Sequence, residues 1–506
     1  MNQLKAGAFL NYVSIALHMV VGIVYTPFML RMLGQSEYGL YSLAASIIAY
    51  LTVLDLGFGN AIVRYTAKFR SEGKEQEQQY MFGMFLLLYM GIGLIAFLIG
   101  IFLSLNVQSI FSSNMTPEEV YRTQIMLWLM TFNLAFTFPM SLWGSIMTAY
   151  ERFVFQRIVS IIRGVLNPIV MVALLVVGYK AVAMVVITTF FNVVTLLINW
   201  WYCKYRLFIK IRFEQFKWSF LKEVCIYSFW IFLNAITERI YWSTGQFILG
   251  IYKGTIAVAI YSVAIQLKDM FYMFSTAISG VLLPRVTSMI SKGATDKEMS
   301  DLFIRTGRIQ YIIMALILTG FILFGKKFIE LWAGTEYSQA YYICLLFFIT
   351  TCIPLIQNLG IIILLAKNQL KFRSIWILSA SAVSLIIAVP CCSYFGVMGC
   401  AWITAIAIFI AYGVGLNIYY WKKINIDILG FWKEIGKMSI IPSLFATGGS
   451  FLLSYCHIDS ILTLILGIAC FLVVYTPSFY FFSMNHSEQN LLIAPIKSVC
   501  KKLNHH

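Results

Sequence analysis

Glu238 and Arg239 stand side by side in the segment NAITERIYW, within an otherwise apolar stretch, and Lys268 and Asp269 repeat that juxtaposition thirty residues on. A charge at the centre of a bilayer costs about 2.5–3.5 kcal/mol on insertion scales, so four of them facing lipid would cost about 10 kcal/mol. They must face protein or water, where such groups bind ions, relay protons or hold charged cargo. At 100° per residue, Asn234, Thr237, Glu238, Tyr241, Thr244 and Gly245 form one polar stripe. Lys268 falls on a second stripe with Tyr261, Tyr272, Ser275, Thr276 and Ser279, with Asp269 at its edge. Arg239 lies off its own stripe and reads equally as a brace to Asp269 on the neighbouring helix.

Three further residues carry chemistry at similar depth. His18 is either a functional titratable group or a lone histidine that satisfies a local hydrogen bond. Asp55 sits among glycines in LDLGFGN, a segment that also admits a helix kink. Arg163 stands deepest of the arginines near span ends, with Asn167 one turn on, and like Arg64 and Arg285 it either snorkels to headgroups or grips a phosphate with its planar fork. Tyr25 and Tyr41 lie with these groups, and tyrosines stack on sugars and hydrogen-bond to them.

The elements that must position these residues are membrane spans. The chain has 506 residues, 60% hydrophobic and 11% charged, a composition of integral membrane proteins and not of any soluble class. At about 20 apolar residues per crossing, the hydrophobic runs predict fourteen spans. The net charge of +16 does not indicate nucleic acid, because its basic residues gather in alternate loops. With the N-terminus inside, 28 of 37 Lys and Arg fall on the cytoplasmic side, six outside and three within spans. Both termini are therefore expected in the cytoplasm. The first apolar run is too long for a cleavable signal and leads straight into a second span. Ten cysteines without CxxC or His–Cys spacing predict neither a disulfide framework nor a metal site, and Cys391 and Cys392 read as packing residues. The outside loops are too short to hold a catalytic domain, so no enzyme activity is expected.

An internal repeat organises the spans. GQSEYGLYSLA, from Gly34, and GTIAVAIYSVA, from Gly254, share G-x6-YSxA at an offset of 220 residues; GNAIVRYT and GVLLPRVT share G-x4-R-x-T at 221. The reading is an all-α polytopic protein with two six-helix lobes related by a pseudo-twofold axis along the membrane normal. Residues 1–203 form the N-lobe, 224–420 the C-lobe and 421–506 two extra spans and a cytoplasmic tail. The intervening segment 204–223, rich in alternating basic and apolar residues, is expected to be an interfacial amphipathic helix. The repeat places His18 opposite Glu238, and the lobes would enclose a wet cavity bearing His18, Asp55, Glu238 and Lys268.

The segment LGQSEYGLYSLAASIIAYLTVLDLGFGNAIVRYTAKF resembles the second-span signature of the polysaccharide-transport family, the Wzx-type flippases of the multidrug/oligosaccharidyl-lipid/polysaccharide exporter superfamily. The motif covers about residues 33–70, the architecture the whole chain. The resemblance implies transfer of undecaprenyl-diphosphate-linked oligosaccharides from the cytoplasmic to the outer leaflet of a bacterial inner membrane by alternating access. It implies no cofactor beyond a coupling H+ or Na+. Lys268, Arg239, Arg163 and Arg64 would then meet the diphosphate. Glu238, Asp55, His18 and Asp269 are the titratable candidates, and Tyr25, Tyr41, Asn234, Tyr241, Tyr261 and Tyr272 would line the cavity. The partners implied are the lipid-linked substrate, membrane lipids and the polymerase and chain-length machinery, the protein itself acting as a monomer. A cation or drug exporter and a lipid II flippase are the neighbouring alternatives. With three basic residues inside spans, the cavity is less cationic than the family leads one to expect.

Overall fold

The computed structural model describes residues 3–111, 113–214, 218–279, 286, 288–290, 292–367, 369–455 and 458–490. Within them the chain is a succession of helices: α1 (Gln3–Leu51), α2 (Phe58–Ser71), α3 (Glu75–Leu105), α4 (Val107–Phe111), α5 (Pro117–Ala149), α6 (Phe153–Val176), α7 (Ala181–Tyr205) and α8 (Trp218–Ser279). Then come α9 (Asp296–Trp332), α10 (Ala340–Ile356), α11 (Asn358–Ala366), α12 (Leu370–Ile408), α13 (Asn417–Ile424), α14 (Ile428–Met438), α15 (Ile440–Leu453) and α16 (Ile461–Phe482). Among the described residues ten helical runs are long and apolar enough to cross a membrane. Three of them, of 63, 48 and 55 residues, far exceed one crossing and turn at glycines inside α1, α8 and α12. The chain is a multi-pass membrane protein. The repeat block at 280–287 lies outside the described residues apart from Val286, and so does Arg285.

The contacts divide the chain into two compact units, Met1–Val263 with Ile377–Thr404, and Ala264–Trp376 with Ala405–His506. In the first, α2, α3 and α5 share a core of Phe58, Phe85, Tyr89, Leu142 and Ile146, with Phe58 set edge-on to Phe85 at 5.8 Å. Because lipid offers helices no hydrophobic drive to associate, close backbone approach through small residues matters. A Cβ on Gly93 would lie 2.7 Å from the Ala135 carbonyl oxygen, and one on Gly100 would lie 2.3 Å from Thr131. α3 and α5 are packed through those two glycines.

Two expectations are corrected in this unit. Residues 206–214 are non-helical. In RLFIKIRF, Leu207, Ile209 and Ile211 pack on the core while Phe208, Lys210 and Arg212 face out, so the pattern has period two, that of extended chain. Among the described residues helix resumes at Trp218, and Leu221 and Val224 join the same core. Cys392 and Cys400 form a disulfide with Cα atoms 5.1 Å apart. Gly396, at φ 61°, folds α12 back on itself and brings together cysteines that no linear spacing pairs.

In the second unit α9 carries α14, α15 and α16 against an aromatic ladder, Phe471, Tyr475 and Phe479, with successive centroids 4.9 and 5.5 Å apart. Helix α14 buries Ile428, Phe431, Ile435 and Met438, one amphipathic face, and Phe431 fits over Gly307, which has no side chain to obstruct it. Arg308, one of the 28 basic residues counted on the cytoplasmic side, is 6% exposed. Its Nε donates to Glu488 at 2.6 Å, its NH1 to Glu434 at 2.6 Å and its NH2 to the Ser483 carbonyl at 3.2 Å. The guanidinium is thus satisfied by protein, which is what burying it requires.

Candidate functional site

The first unit holds a polar cluster built around Arg163, halfway along α6. Its NH1 donates to Asn192 Oδ1 at 2.9 Å; the Asn192 amide nitrogen donates in turn to Asn133 Oδ1 and Thr137 Oγ1, both at 2.8 Å. Asn133 and Thr137 are one turn apart on α5, so they present oxygens to the same amide, and every member of the chain is fixed by the next. Arg163 itself is half-buried, and among the described residues Asn192 is its hydrogen-bond acceptor. A planar cation held in this way is suited to bidentate capture of an oxyanion such as a diphosphate. The residue singled out beside it from sequence, Asn167, does not hold it; the Asn167 side-chain oxygen is buried without a hydrogen-bond partner. Asn192, Asn133 and Thr137 were not legible as site residues. The available signal was their polarity within apolar runs, which titratable groups overshadow.

His18 is near this cluster. Its ring lies against Gly164, 3.4 Å from where a Cβ would sit, and its Nδ1 bonds the Ser14 carbonyl at 2.7 Å. The ring edge is exposed. Tyr25 and Tyr41 on α1 are half-buried. Asp55 lies where the helix breaks: Leu56 and Gly57 both take positive φ, and Tyr89 Oη donates to the Asp55 carboxylate at 2.9 Å. Arg64, further along α2, is exposed, with its guanidinium 5.7 Å from the Tyr65 ring centroid.

The α8 stripe changes character along its length. Glu238 is exposed, Arg239 half-buried, and Asn234 turns its amide back to the Trp230 carbonyl at 2.7 Å. Beyond them Tyr241, Thr244 and Gly245 are buried. Thr244 is hydrogen-bonded to Tyr50 of α1, Gly245 accommodates the ring of Tyr261, and Tyr261 reaches Thr404 at 3.5 Å. Within this unit, then, Glu238 is exposed while Thr237, Tyr241, Thr244 and Gly245 are closed by packing.

That closure continues to the helix ends. Ser36 and Thr255 both donate to Oε1 of Glu119, the latter at 3.1 Å, while Glu119 Oε2 takes the Thr116 backbone N–H at 2.9 Å. Asn114 donates to the Ile251 carbonyl at 2.6 Å, and Gly39 lies so close to Thr255 that a Cβ there would meet its carbonyl oxygen at 2.0 Å. Arg122 links buried Glu37 to Glu118.

In the second unit Lys268 is 4% exposed and pairs with Asp269, its ammonium 5.1 Å from the ring centroid of half-buried Tyr272. Asp269 pairs with Lys268 inside the second unit, and Arg239 belongs to the first. Thr276 and Ser279 have side chains outside the described residues.

Bilayer-length helices that turn at glycines and carry fixed polar side chains define a polytopic membrane fold. The lipid II flippase MurJ in an inward closed conformation matches it with a TM-score of 0.69 at 15% identity, over 94% of this chain and 98% of that one. An inward-facing multidrug resistance MATE family transporter matches with 0.61 at 14% identity, over 83% and 99%. The chain belongs to the polysaccharide biosynthesis protein family, whose profile matches residues 4–291. It is also 23% identical to a Shigella flexneri protein named "Putative O-antigen transporter", over 65% of this chain and 76% of that one. The resemblance seen in the segment at 33–70 is borne out.

Proposed function

We propose that this protein is a flippase that moves undecaprenyl-diphosphate-linked oligosaccharide repeat units from the cytoplasmic to the outer leaflet of the inner membrane. The observation that carries the reading is Arg163: an intramembrane cation, positioned by Asn192, Asn133 and Thr137, in a chain of the polysaccharide biosynthesis family. Diphosphate is the part of such a cargo that lipid rejects most strongly, and a guanidinium fork offers it paired donors. With both termini in the cytoplasm, the knot around Glu119 closes the outer side. Alternating access then requires the knot to separate as the inner side closes. Glu238 and Asp55 are the groups through which an H+ or Na+ gradient would act, by changing the charge of the path. The polymerase and chain-length machinery would receive the product outside.

Mass spectrometry of lipids from a deletion strain tests the reading. Accumulation of one undecaprenyl-linked oligosaccharide, relieved by the wild-type chain and not by Arg163→Ala, is the expected result. An unchanged lipid profile together with new sensitivity to cationic drugs would assign the protein to the drug-exporting branch instead. Transport that keeps its full dependence on the ion gradient in Glu238→Gln removes Glu238 from the coupling role.

A further inference from the structure

The first unit has a cleft of about 370 Å3 at the end remote from Glu119, walled by the ends of α2 and α3, Tyr150 and residues 207–210. Its volume lies in the range of small-ligand sites, about 300–1,000 Å3. Arg70 is held there by two contacts: its guanidinium lies 4.0 Å from the centroid of the Tyr150 ring and its NH1 donates to the Ala149 carbonyl at 3.2 Å. Tyr150 is fixed in turn by Gln78, whose amide nitrogen donates to its hydroxyl at 2.9 Å. Lys210 enters from the extended linker and Glu75 from the first turn of α3. Among the described residues no ion pair joins these three charges to one another or to any other group, although all three line one space. The side-chain oxygen of Gln79, one helical turn beyond Glu75 on the same face, is buried without a hydrogen-bond partner.

We propose that this cleft binds the headgroup of a zwitterionic phospholipid bearing a primary ammonium. Arg70 and Lys210 take the phosphoryl oxygens, and Glu75 takes the ammonium. Opposite charges that face one cavity without meeting are complementary to a ligand that carries both signs a few bonds apart. The exposed Glu75 carboxylate accepts hydrogen bonds, and an ethanolamine headgroup has N–H donors for it where a choline headgroup has none. An anionic glycerol headgroup would leave Glu75 without a counter-charge. Phe82, Leu207, Phe208 and Ile209 give the cleft an apolar wall, and Phe208 is 77% exposed beside it, where an acyl chain would leave. A bound headgroup would tie Lys210 of the linker to Arg70 and Glu75, fastening the segment that leads into α8. That this end of the unit meets the inner leaflet rests on the orientation given under the proposed function.

The test is thermal unfolding of the purified full-length chain in nanodiscs of phosphatidylcholine, alone or mixed with phosphatidylethanolamine or phosphatidylglycerol. The ethanolamine lipid should raise the unfolding temperature above the choline baseline. Glu75→Gln and Lys210→Gln should each remove that increment while keeping the baseline; Arg70→Gln should remove it from a baseline lowered by the lost contacts to Tyr150 and Ala149. Lys210 is exposed and makes no ion pair, so Lys210→Gln keeps the test valid even if another variant fails to fold. Equal stabilisation by all three lipids, or an increment retained in Lys210→Gln and Glu75→Gln, overturns the proposal. Soluble O-phosphoethanolamine reproducing the shift in pure phosphatidylcholine overturns the lipid source. No substrate is needed, so a negative result here leaves the flippase reading intact, and a failed lipid-accumulation experiment leaves this one intact.

Discussion

Gly34 and Gly254, 220 residues apart, break their helices with nearly the same backbone conformation: φ 75°, ψ 169° in α1 and φ 77°, ψ −172° in α8. This region of the backbone map is open in practice only to glycine, and other residues held there cost about 1–3 kcal/mol. The two glycines head the matching blocks G-x6-YSxA, so the first repeat block recurs as the same turn, not merely as similar letters.

Alanine at either glycine should therefore destabilise the fold, and unequally. A Cβ at Gly34 meets nothing within 4 Å, whereas one at Gly254 would lie 2.8 Å from the Asn114 carbonyl oxygen. Gly34→Ala should cost the backbone strain alone, about 1–3 kcal/mol, and Gly254→Ala should cost more. Chemical or thermal unfolding in detergent ranks the two; a Gly34→Ala variant as damaging as Gly254→Ala would contradict the geometry.

Glu119 joins the residues just past those two turns, since Ser36 and Thr255 both donate to its Oε1. If this carboxylate holds the outer side closed, Glu119→Ala should shift the protein toward outward-open forms, and a single cysteine placed at Thr237, now buried, should react faster with an impermeant thiol reagent added outside. Conversely, Ser36→Cys with Thr255→Cys joined by a short bis-thiol cross-linker should stop transport until the link is cleaved. Undiminished transport through the cross-linked protein would show that this end does not open.

Arg308 and Glu488 bind the last described segment to α9 through two hydrogen bonds of 2.6 and 2.9 Å. Removing one partner of a buried pair leaves the other charge uncompensated, at a cost of about 3–5 kcal/mol, whereas replacing both by apolar residues is often neutral. Arg308→Met and Glu488→Leu should each lower the unfolding temperature sharply, and the double variant should recover most of the loss. Additive losses in the double variant would show that the pair does not act as a unit.

Glu434 lies outside the spans, and its carboxyl is held below the usual 4.5, first by the hydrogen bond from Lys437 and then, against the desolvation that opposes it, by the charges of Lys437 and Arg308. Because the folded value is depressed, its contribution is complete above the unfolded value and is lost as pH falls through the folded one. Stability measured downward from pH 5 should fall less steeply in Glu434→Gln than in the wild type, with no difference between them in slope above about pH 6.

Much of the fold was legible because membrane spans announce themselves by length, and because the turn at Gly34 and Gly254 needs glycine twice. What was hidden required knowing which residues meet across the turns. Cys392 and Cys400 are eight apart and pair only because Gly396 reverses the chain between them. Arg308 has the composition of a loop cation, and its carboxylates come from 126 and 180 residues away. The linker's alternation was present in RLFIKIRF, but a basic-apolar mixture suits a helix or an extended strand, and period decides between them. At the site, titratable residues drew the eye, while the neutral residues that aim Arg163 did not.

The distinction between aiming and binding at Arg163 can be measured. If the guanidinium meets the diphosphate, Arg163→Lys keeps the charge but loses the planar fork and the bond to Asn192, and Arg163→Ala loses everything. Asn192→Ala leaves the guanidinium present but unaimed; Asn192→Asp supplies the acceptor with a counter-charge that competes with the cargo. A hydrogen bond to a charged group contributes about 1.5–3 kcal/mol, so Asn192→Ala should lower transport kcat/KM by roughly ten- to a hundredfold, with Arg163→Lys similar and Arg163→Ala lower still. Combining Asn192→Ala with Arg163→Ala should add little to Arg163→Ala alone, since Asn192 acts through the arginine. Measured in proteoliposomes with a lipid-linked oligosaccharide and a leaflet-specific label, losses that multiply in the double variant would mean that Asn192 serves the cargo directly, and a fully active Arg163→Ala would move the diphosphate site elsewhere in the path.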